Sequence, residues 1–150
     1  AKNRKKANIF ASDINLLSLN LAKKNIDLNG VKNIHLFKQD LLQSVSTFYK
    51  FDFIVCNPPY FSNEEYKNLE KDLYYEPKIS LIAPLNGYFY LKQLIYEGKN
   101  YLKSDGKLIL EHGHNQKEEC VNFFQKKGYN NIECLLDLNN INRVTLGQNS

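Results

Sequence analysis

The residues best suited to chemistry in this chain are Asn57-Pro58-Pro59-Tyr60, which directly follow the apolar run Phe51-Asp52-Phe53-Ile54-Val55-Cys56. Two successive prolines contribute no backbone donors and fix their own φ. Pro58 pushes Asn57, and Pro59 pushes Pro58, toward extended conformations. The resulting loop is stiff, and its carbonyls point outward with no internal ladder to occupy them. The Asn57 amide oxygen adds an acceptor, and Tyr60 adds an aromatic face that stacks on planar groups. Acceptors beside a stacking face suit a flat primary amine or an amide –NH2. A strand ending in a proline-rich turn would share part of this pattern. Four consecutive suitable residues at a strand end favour a site.

Two carboxylates are weaker candidates. Asp13 closes the run Asn8-Ile9-Phe10-Ala11-Ser12-Asp13. In a nucleotide-binding sheet a carboxylate at a strand end accepts both hydroxyls of a ribose. It equally suits capping the helix that starts near Asn15, and taken alone the capping reading stands slightly ahead. Asp40 fits contact with an adenine amino group, or simply a turn after a strand. Glu111-His112-Gly113-His114 offers metal ligands but no third partner at metal-binding spacing, so it reads as a polar strand end. Cys56 has no histidine near it in sequence and reads as a small strand residue. His35 reads as an outward-facing strand residue, and the mixed charges from Glu64 to Asp72 as a solvated helix face.

Such residues need elements that bring strand ends to one edge. Asn8–Asp13 predicts a strand, and residues 15–29 a helix with Leu17, Leu21 and Leu28 at helical spacing, stopped by Gly30. Ile34–Phe37 predicts a second strand ending near Gln39-Asp40. Phe51–Cys56 predicts a third, apolar enough to be a buried parallel strand. Residues 63–72 read as helical, followed by an irregular stretch with Pro77 and Pro84. In 87–103 the face Tyr88, Leu91, Leu94, Ile95, Gly98 and Leu102 predicts another helix, with Gly98 permitting close packing. After a turn at Ser104-Asp105-Gly106, Lys107–Glu111 predicts a fourth strand. Asn115 with Glu118 reads as a capping box for a helix running to Gly128. Ile132, Cys134 and Leu136, then Val144 and Leu146, predict an antiparallel hairpin. Strand–helix alternation predicts an α/β fold with a mostly parallel sheet covered on both faces. Its ligands belong beyond the carboxyl ends of the strands.

Composition fits that reading. The chain has 150 residues, 43% apolar and 24% charged, which suits one globular domain with one core. No stretch approaches the roughly 18 apolar residues of a membrane span, and no signal-type leader opens the chain. An odd count of three widely spaced cysteines argues against a disulfide framework and for reduced thiols in a cytosol. The net charge of +4 comes mainly from lysine. The cluster Lys2, Arg4, Lys5, Lys6 lacks interleaved aromatics and reads as a solvated end, weak evidence for nucleic acid. The chain begins with Ala1 and contains no Met.

Beyond these residue-level readings, the sequence resembles the class I methyltransferases that use S-adenosylmethionine and methylate planar nitrogens through an Asn/Asp-Pro-Pro-aromatic loop. Within them it resembles the release-factor glutamine methyltransferases, the HemK/PrmC family. The likeness rests on Phe10-Ala11-Ser12-Asp13-Ile14, Val31-Lys32-Asn33-Ile34-His35-Leu36, Gln39-Asp40-Leu41, Asn57–Tyr60, Glu76-Pro77, Leu110-Glu111-His112-Gly113 and Arg143-Val144-Thr145-Leu146-Gly147. It implies a Rossmann-like sheet with a C-terminal antiparallel hairpin. It also implies methyl transfer to the N5 amide nitrogen of the glutamine in the Gly-Gly-Gln loop of class-one peptide-chain release factors. Asn57, Pro58 and Tyr60 would be catalytic and Asn57–Tyr60 would hold the substrate amide. Asp13, Asp40, Leu41 and Asn57 would contact the cofactor. The expected partner is the release factor, with neither membrane nor direct nucleic-acid binding, in the cytoplasm.

Departures from the family pattern are Ser80, where Ala is usual, Asn142 before Arg143, and a first glycine only at Gly30. The resemblance therefore places the family's opening strand, its Gly-rich loop and a helical region ahead of residue 1. Residues 1–7 become the tail of a helix, and 1–150 a partial catalytic domain. Alternatives are a ribosomal-protein glutamine methyltransferase, an adenine-N6 nucleic-acid methyltransferase, and a non-catalytic fragment.

Overall fold

The computed structural model describes residues 1–43 and 45–150. It divides into two compact units, 1–46 and 47–150. In the first unit, β1 (Ile9–Asp13) pairs in parallel with β2 (Ile34–Lys38), Ile9 opposite Ile34 and Asp13 opposite Lys38. The crossover is α1 (Leu16–Leu28). Asn15 caps it by accepting the Leu17 N–H, and Gly30 follows its end at φ 61°. Asp13 is therefore not the N-cap. Its Oδ1 accepts the Asn15 N–H at 2.7 Å, one step upstream.

The helix forms where its leucine spacing predicts, but that leucine face is not the one turned inward. Leu17, Leu21 and Leu28 are exposed. The less exposed positions are Leu19, Ala22 and Ile26, spaced to face β1 and β2. Residues 1–7 form turns closed by Arg4 N–H to Ala1 O and Ala7 N–H to Arg4 O, rather than a helical tail.

The second unit holds a four-stranded sheet in the order β3-β4-β6-β5. These are β3 (Phe51–Cys56), β4 (Leu102–Glu111), β5 (Asn130–Leu136) and β6 (Asn142–Gln148). β3 and β4 run parallel, and β6 is antiparallel to both β4 and β5. The parallel strands and the closing hairpin are those expected, but the described strands form two sheets instead of one. The segment expected as a helix to residue 103 divides into α3 (Phe89–Gly98), a 3-10 turn (Lys99–Tyr101) and the start of β4 at Leu102. The expected turn at Ser104–Gly106 is a bulge inside β4. Asp105 takes φ 65°, and the register with β3 shifts between Phe51 and Phe53.

The core lies on one face of this sheet. α3 and α4 (Lys117–Lys126) pack on each other, α3 also against β4 and α4 against β5 and β6. Leu91, Ile95, Leu108, Leu110, Cys120 and Phe124 are fully buried between them. A Cβ added at Gly98 would meet Leu108 at ordinary contact distance, so the packing expected there from the apolar stripe does not depend on glycine. The opposite face carries Phe53 and Val55, 63% and 71% exposed. Coverage of both faces is thus not observed for this unit. β3 is parallel but an edge strand among the described residues, and only the side shared with Leu108 and Leu110 meets helices. Between β3 and α3 run α2 (Asn63–Tyr66), capped reciprocally by Ser62 and Glu65, and 3-10 turns at Lys71–Tyr75 and Lys78–Ser80. The helical reading of 63–72 survives as the turn Asn63–Tyr66 and as the start of the 3-10 turn at Lys71. Among the described residues no helix is long and apolar enough to cross a membrane.

Candidate active site

The loop Asn57–Tyr60 leaves the carboxyl end of β3, the edge where ligands bind in parallel sheets. It carries no regular secondary structure, as two prolines dictate. Asn57 is exposed, Pro58 buried, and Pro59 and Tyr60 half-buried. Among the described residues neither the Asn57 carboxamide nor the Pro58 carbonyl has a hydrogen-bond partner. The acceptors expected from the sequence are therefore available. The Tyr60 carbonyl is not: it accepts the Gln116 side-chain N–H at 3.0 Å. Downstream, Phe61 N–H donates to Leu81 O at 3.0 Å and Phe61 O accepts from Ala83 N–H at 2.9 Å. One end of the loop is fastened while the Asn57 end stays open.

The Tyr60 ring is also held. Its O–H donates to Glu111 Oε1 at 3.3 Å, and its ring lies 4.9 Å from that of Phe61. Burial and the Glu111 charge push the phenol above its ordinary range, against an opposing pull from Arg143. The group stays a neutral donor, which fixes the ring plane.

Three participants are not picked out by the sequence pattern: Glu111, Gln116 and Gly87. Glu111 reads there only as a polar strand end. Gln116 is hidden by the Asn115/Glu118 pair, whose spacing suggests a capping box. In the structure Gln116 is the N-cap position of α4 and makes no cap bond, while the Asn115 side chain reaches Glu65 at 3.4 Å. Gln116 is 2% exposed, and its Oε1 accepts the Gly113 N–H at 2.9 Å. Gly87, at φ 88°, lies under the Tyr60 carbonyl and 2.7 Å (from an added Cβ) from Gln116 Nε2. Within the polar stretch His114–Glu119 no local pattern sets Gln116 apart, and its burial in the fold is what marks it.

His112 supports this corner from behind. Fully buried, it has Nδ1 at 2.8 Å from the Gly113 carbonyl and Nε2 at 2.9 Å from Thr145 Oγ1. A carbonyl only accepts, so Nδ1 carries the proton and the neutral Nε2 accepts the Thr145 hydroxyl. Burial is the main reason its pKa falls below 6.5. The Gly113 carbonyl and Glu111 oppose that shift, and Arg143 reinforces it. A base whose folded pKa is depressed favours the native state while neutral. Its contribution is present above the unfolded pKa and is lost as pH falls below it. The urea midpoint of unfolding should therefore drop as pH goes from 6.5 to about 5, and His112→Asn should flatten that slope. Equal slopes in both proteins would contradict the assignment.

Cys56, next to the loop, has its thiol pushed up to about 11 by burial, which removes thiolate chemistry at neutral pH. All three cysteines are free thiols. Glu111, His112 and His114 do not converge: among the described residues no three metal-ligating side chains form a cluster. His35 is exposed, bonded to Asn8 at 2.9 Å.

The other sequence-derived candidates lie in the first unit. Asp13 and Gln39 end neighbouring parallel strands, tied by Gln39 N–H to Asp13 O at 3.1 Å. The Asp13 carboxylate is half-buried. With Oδ1 used by Asn15, its Oδ2 has no hydrogen-bond partner among the described residues. After β2 the chain turns sharply, Leu41 taking φ 46° with its carbonyl accepting from Gln39 Nε2 at 2.7 Å. Asp40 accepts weakly from Gln43 at 3.4 Å. An anionic acceptor beside a tight turn at adjacent strand ends fits a ribose and its attached base.

Comparison with known proteins bears on the family and the fold. Residues 1–76 match the methyltransferase small domain family. The chain is 35% identical over 141 residues to a release factor glutamine methyltransferase of Aliivibrio fischeri, covering 94% of this chain and 50% of that protein. It is 35% identical over 148 residues to the enzyme of the same name from Buchnera aphidicola of Baizongia pistaciae, covering 99% and 53%. The chain thus spans about half the length of the curated relatives it matches. Among solved structures, a methyltransferase from Pyrococcus furiosus superposes with a TM-score of 0.71 at 18% identity, over 97% of this chain and 66% of that one.

Proposed function

The chain belongs to the methyltransferase small domain family and has the Rossmann-like fold of class I methyltransferases, and from that premise we propose that it carries the substrate loop of a protein-glutamine N5-methyltransferase acting on release factors. The observation that carries this reading is the loop itself. At the carboxyl end of β3, Asn57 Oδ1 and Pro58 O are acceptors without a partner among the described residues, and the Tyr60 ring beside them is held by Glu111. The names of the relatives at 35% identity support the choice of a release-factor glutamine as the substrate.

An amide nitrogen is a poor nucleophile because its lone pair is delocalised into the carbonyl. Asn57 Oδ1 accepts one N–H of the glutamine amide and Pro58 O the other, which orients the nitrogen and stabilises positive charge developing on it. Tyr60 packs against the flat amide. Asp13 at the ribose and Asp40 and Leu41 near the adenine would hold S-adenosylmethionine, which would supply an electrophilic methyl carbon and keep the S–C bonding electrons as a neutral thioether. With the proton of the amide nitrogen lost to water, no strong base would be needed. Positioning in line supplies much of the rate, up to ~7–11 kcal/mol in favourable systems.

The test is transfer of labelled methyl by the full-length protein to a release factor, a ribosomal protein and adenine-containing DNA. Label should appear on the release-factor glutamine; label on DNA alone overturns the reading. For the cofactor half, Asp13→Ala in that protein should weaken S-adenosylmethionine binding roughly tenfold or more in calorimetry, the worth of a charged hydrogen bond. Asp13→Asn retains an acceptor for the Asn15 N–H, so its loss of binding reports the ribose contact and not the local turn. Unchanged binding in both variants would remove Asp13 from the cofactor site.

A further inference from the structure

We propose that Gln116 is the positioning residue of the Asn57–Tyr60 loop, a buckle that ties this loop to the end of β4. The inference rests on the reading of that loop as the substrate site. Prolines at 58 and 59 have no N–H, so the loop cannot anchor itself through backbone donors there. Its acceptors at Asn57 and Pro58 must also stay free for the substrate. Within Asn57–Tyr60 the backbone group that is held is the carbonyl of Tyr60, and Gln116 takes it.

The geometry is directional. One end of the Gln116 carboxamide accepts the Gly113 N–H at 2.9 Å, and the other donates to Tyr60 O at 3.0 Å. Only a side chain with an acceptor and a donor about one amide apart satisfies both. Gln116 is itself buried, with the Gly113 bond fully buried and the Tyr60 bond partly so. The residue occupies a helix N-cap position yet makes no cap bond, so its side chain is committed elsewhere. Glu111 grips the Tyr60 hydroxyl at 3.3 Å from the same segment. Tyr60 is thus held at backbone and ring by the stretch 111–116. A loop fixed in this way presents Asn57 and Pro58 in place before substrate arrives, and a displacement of about 1 Å is enough to cost up to a hundredfold in rate.

Gln116→Glu is the sharp probe, because it retains the acceptor for Gly113 and sets an oxygen against the Tyr60 carbonyl. Gln116→Met removes both bonds at similar volume. In the full-length protein both should lower kcat for release-factor methylation about tenfold or more. S-adenosylmethionine affinity should stay within about twofold and KM within about threefold, since the loop is misplaced, not lost. Unchanged kcat in both variants overturns the proposal. So does a kcat loss that merely follows a fall in the folded fraction, with cofactor affinity and KM degraded in parallel. Hydrogen exchange without substrate separates this inference from the function on which it rests. Gln116→Glu should speed exchange at the Phe61 amide while the Gly113 amide stays protected. If the wild type methylates no release factor, that exchange pattern still supports the buckle, and unchanged exchange at Phe61 refutes it.

Discussion

Asn57→Ala is expected to lower kcat for glutamine methylation by roughly a hundred- to a thousandfold in the full-length protein. That is the range seen when a single preorganised polar contact to developing charge is removed. The side chain is exposed and makes no hydrogen bond to the described residues, so truncating it removes little native packing. The melting temperature should move by no more than a degree or two. The loss is kinetic because the bond to the Asn57 oxygen strengthens as positive charge grows on the amide nitrogen. Asn57→Asp retains an oxygen acceptor at the same place and should fall between wild type and alanine. If alanine and aspartate are equally impaired, the role is shape and not acceptance. Near-normal turnover of the alanine variant would refute the role outright. Labelled methyl transfer at saturating cofactor and release factor, with thermal melting as the control, reads all of these outcomes.

That Asn57–Tyr60 forms a loop at a strand end was legible because the signal is local. Prolines cannot join a ladder, and an apolar six-residue run must be a strand or a buried helix turn. The availability of Asn57 and Pro58 follows from the same arithmetic of missing donors. What holds the loop is not local. Gln116 and Glu111 are more than fifty residues downstream of Tyr60, and their partners are chosen by the parallel register that sets Cys56 opposite Leu110. Sequence spacing even pointed the wrong way at α4. Asn115 and Glu118 satisfy a capping pattern, but buried polar atoms at Gly113 and Tyr60 compete more strongly for an amide than an exposed helix end does. The leucines of α1 show the same limit. Helical period identifies the helix from Leu16 to Leu28, while the face turned to β1 and β2 is set by where the crossover enters and leaves.

Gly87→Ala carries the second large effect, and it acts at the contact that Gln116 makes with the Tyr60 carbonyl. Gly87 has φ 88°, which L-residues occupy at a cost of about 1–2 kcal/mol. Its missing Cβ also leaves the space in which the Tyr60 carbonyl and Gln116 Nε2 meet. An added methyl would run into that carbonyl, which is backbone and cannot swing aside as a flexible side chain would. Overpacking of this kind typically costs ~1–3 kcal/mol. Together the two terms predict a loss of about 2–5 kcal/mol in urea unfolding. The loop gives way first, because Asn57–Tyr60 has no ladder of its own whereas Gly87 is buried and its N–H donates to Ala83 O at 3.2 Å. Surviving folded protein should therefore be depleted in kcat as strongly as Gln116→Met. Combining Gly87→Ala with Gln116→Met should cost clearly less than the product of the single losses, since both break one contact. Independent, multiplying losses would mean that Gly87 and Gln116 act on different features of the site.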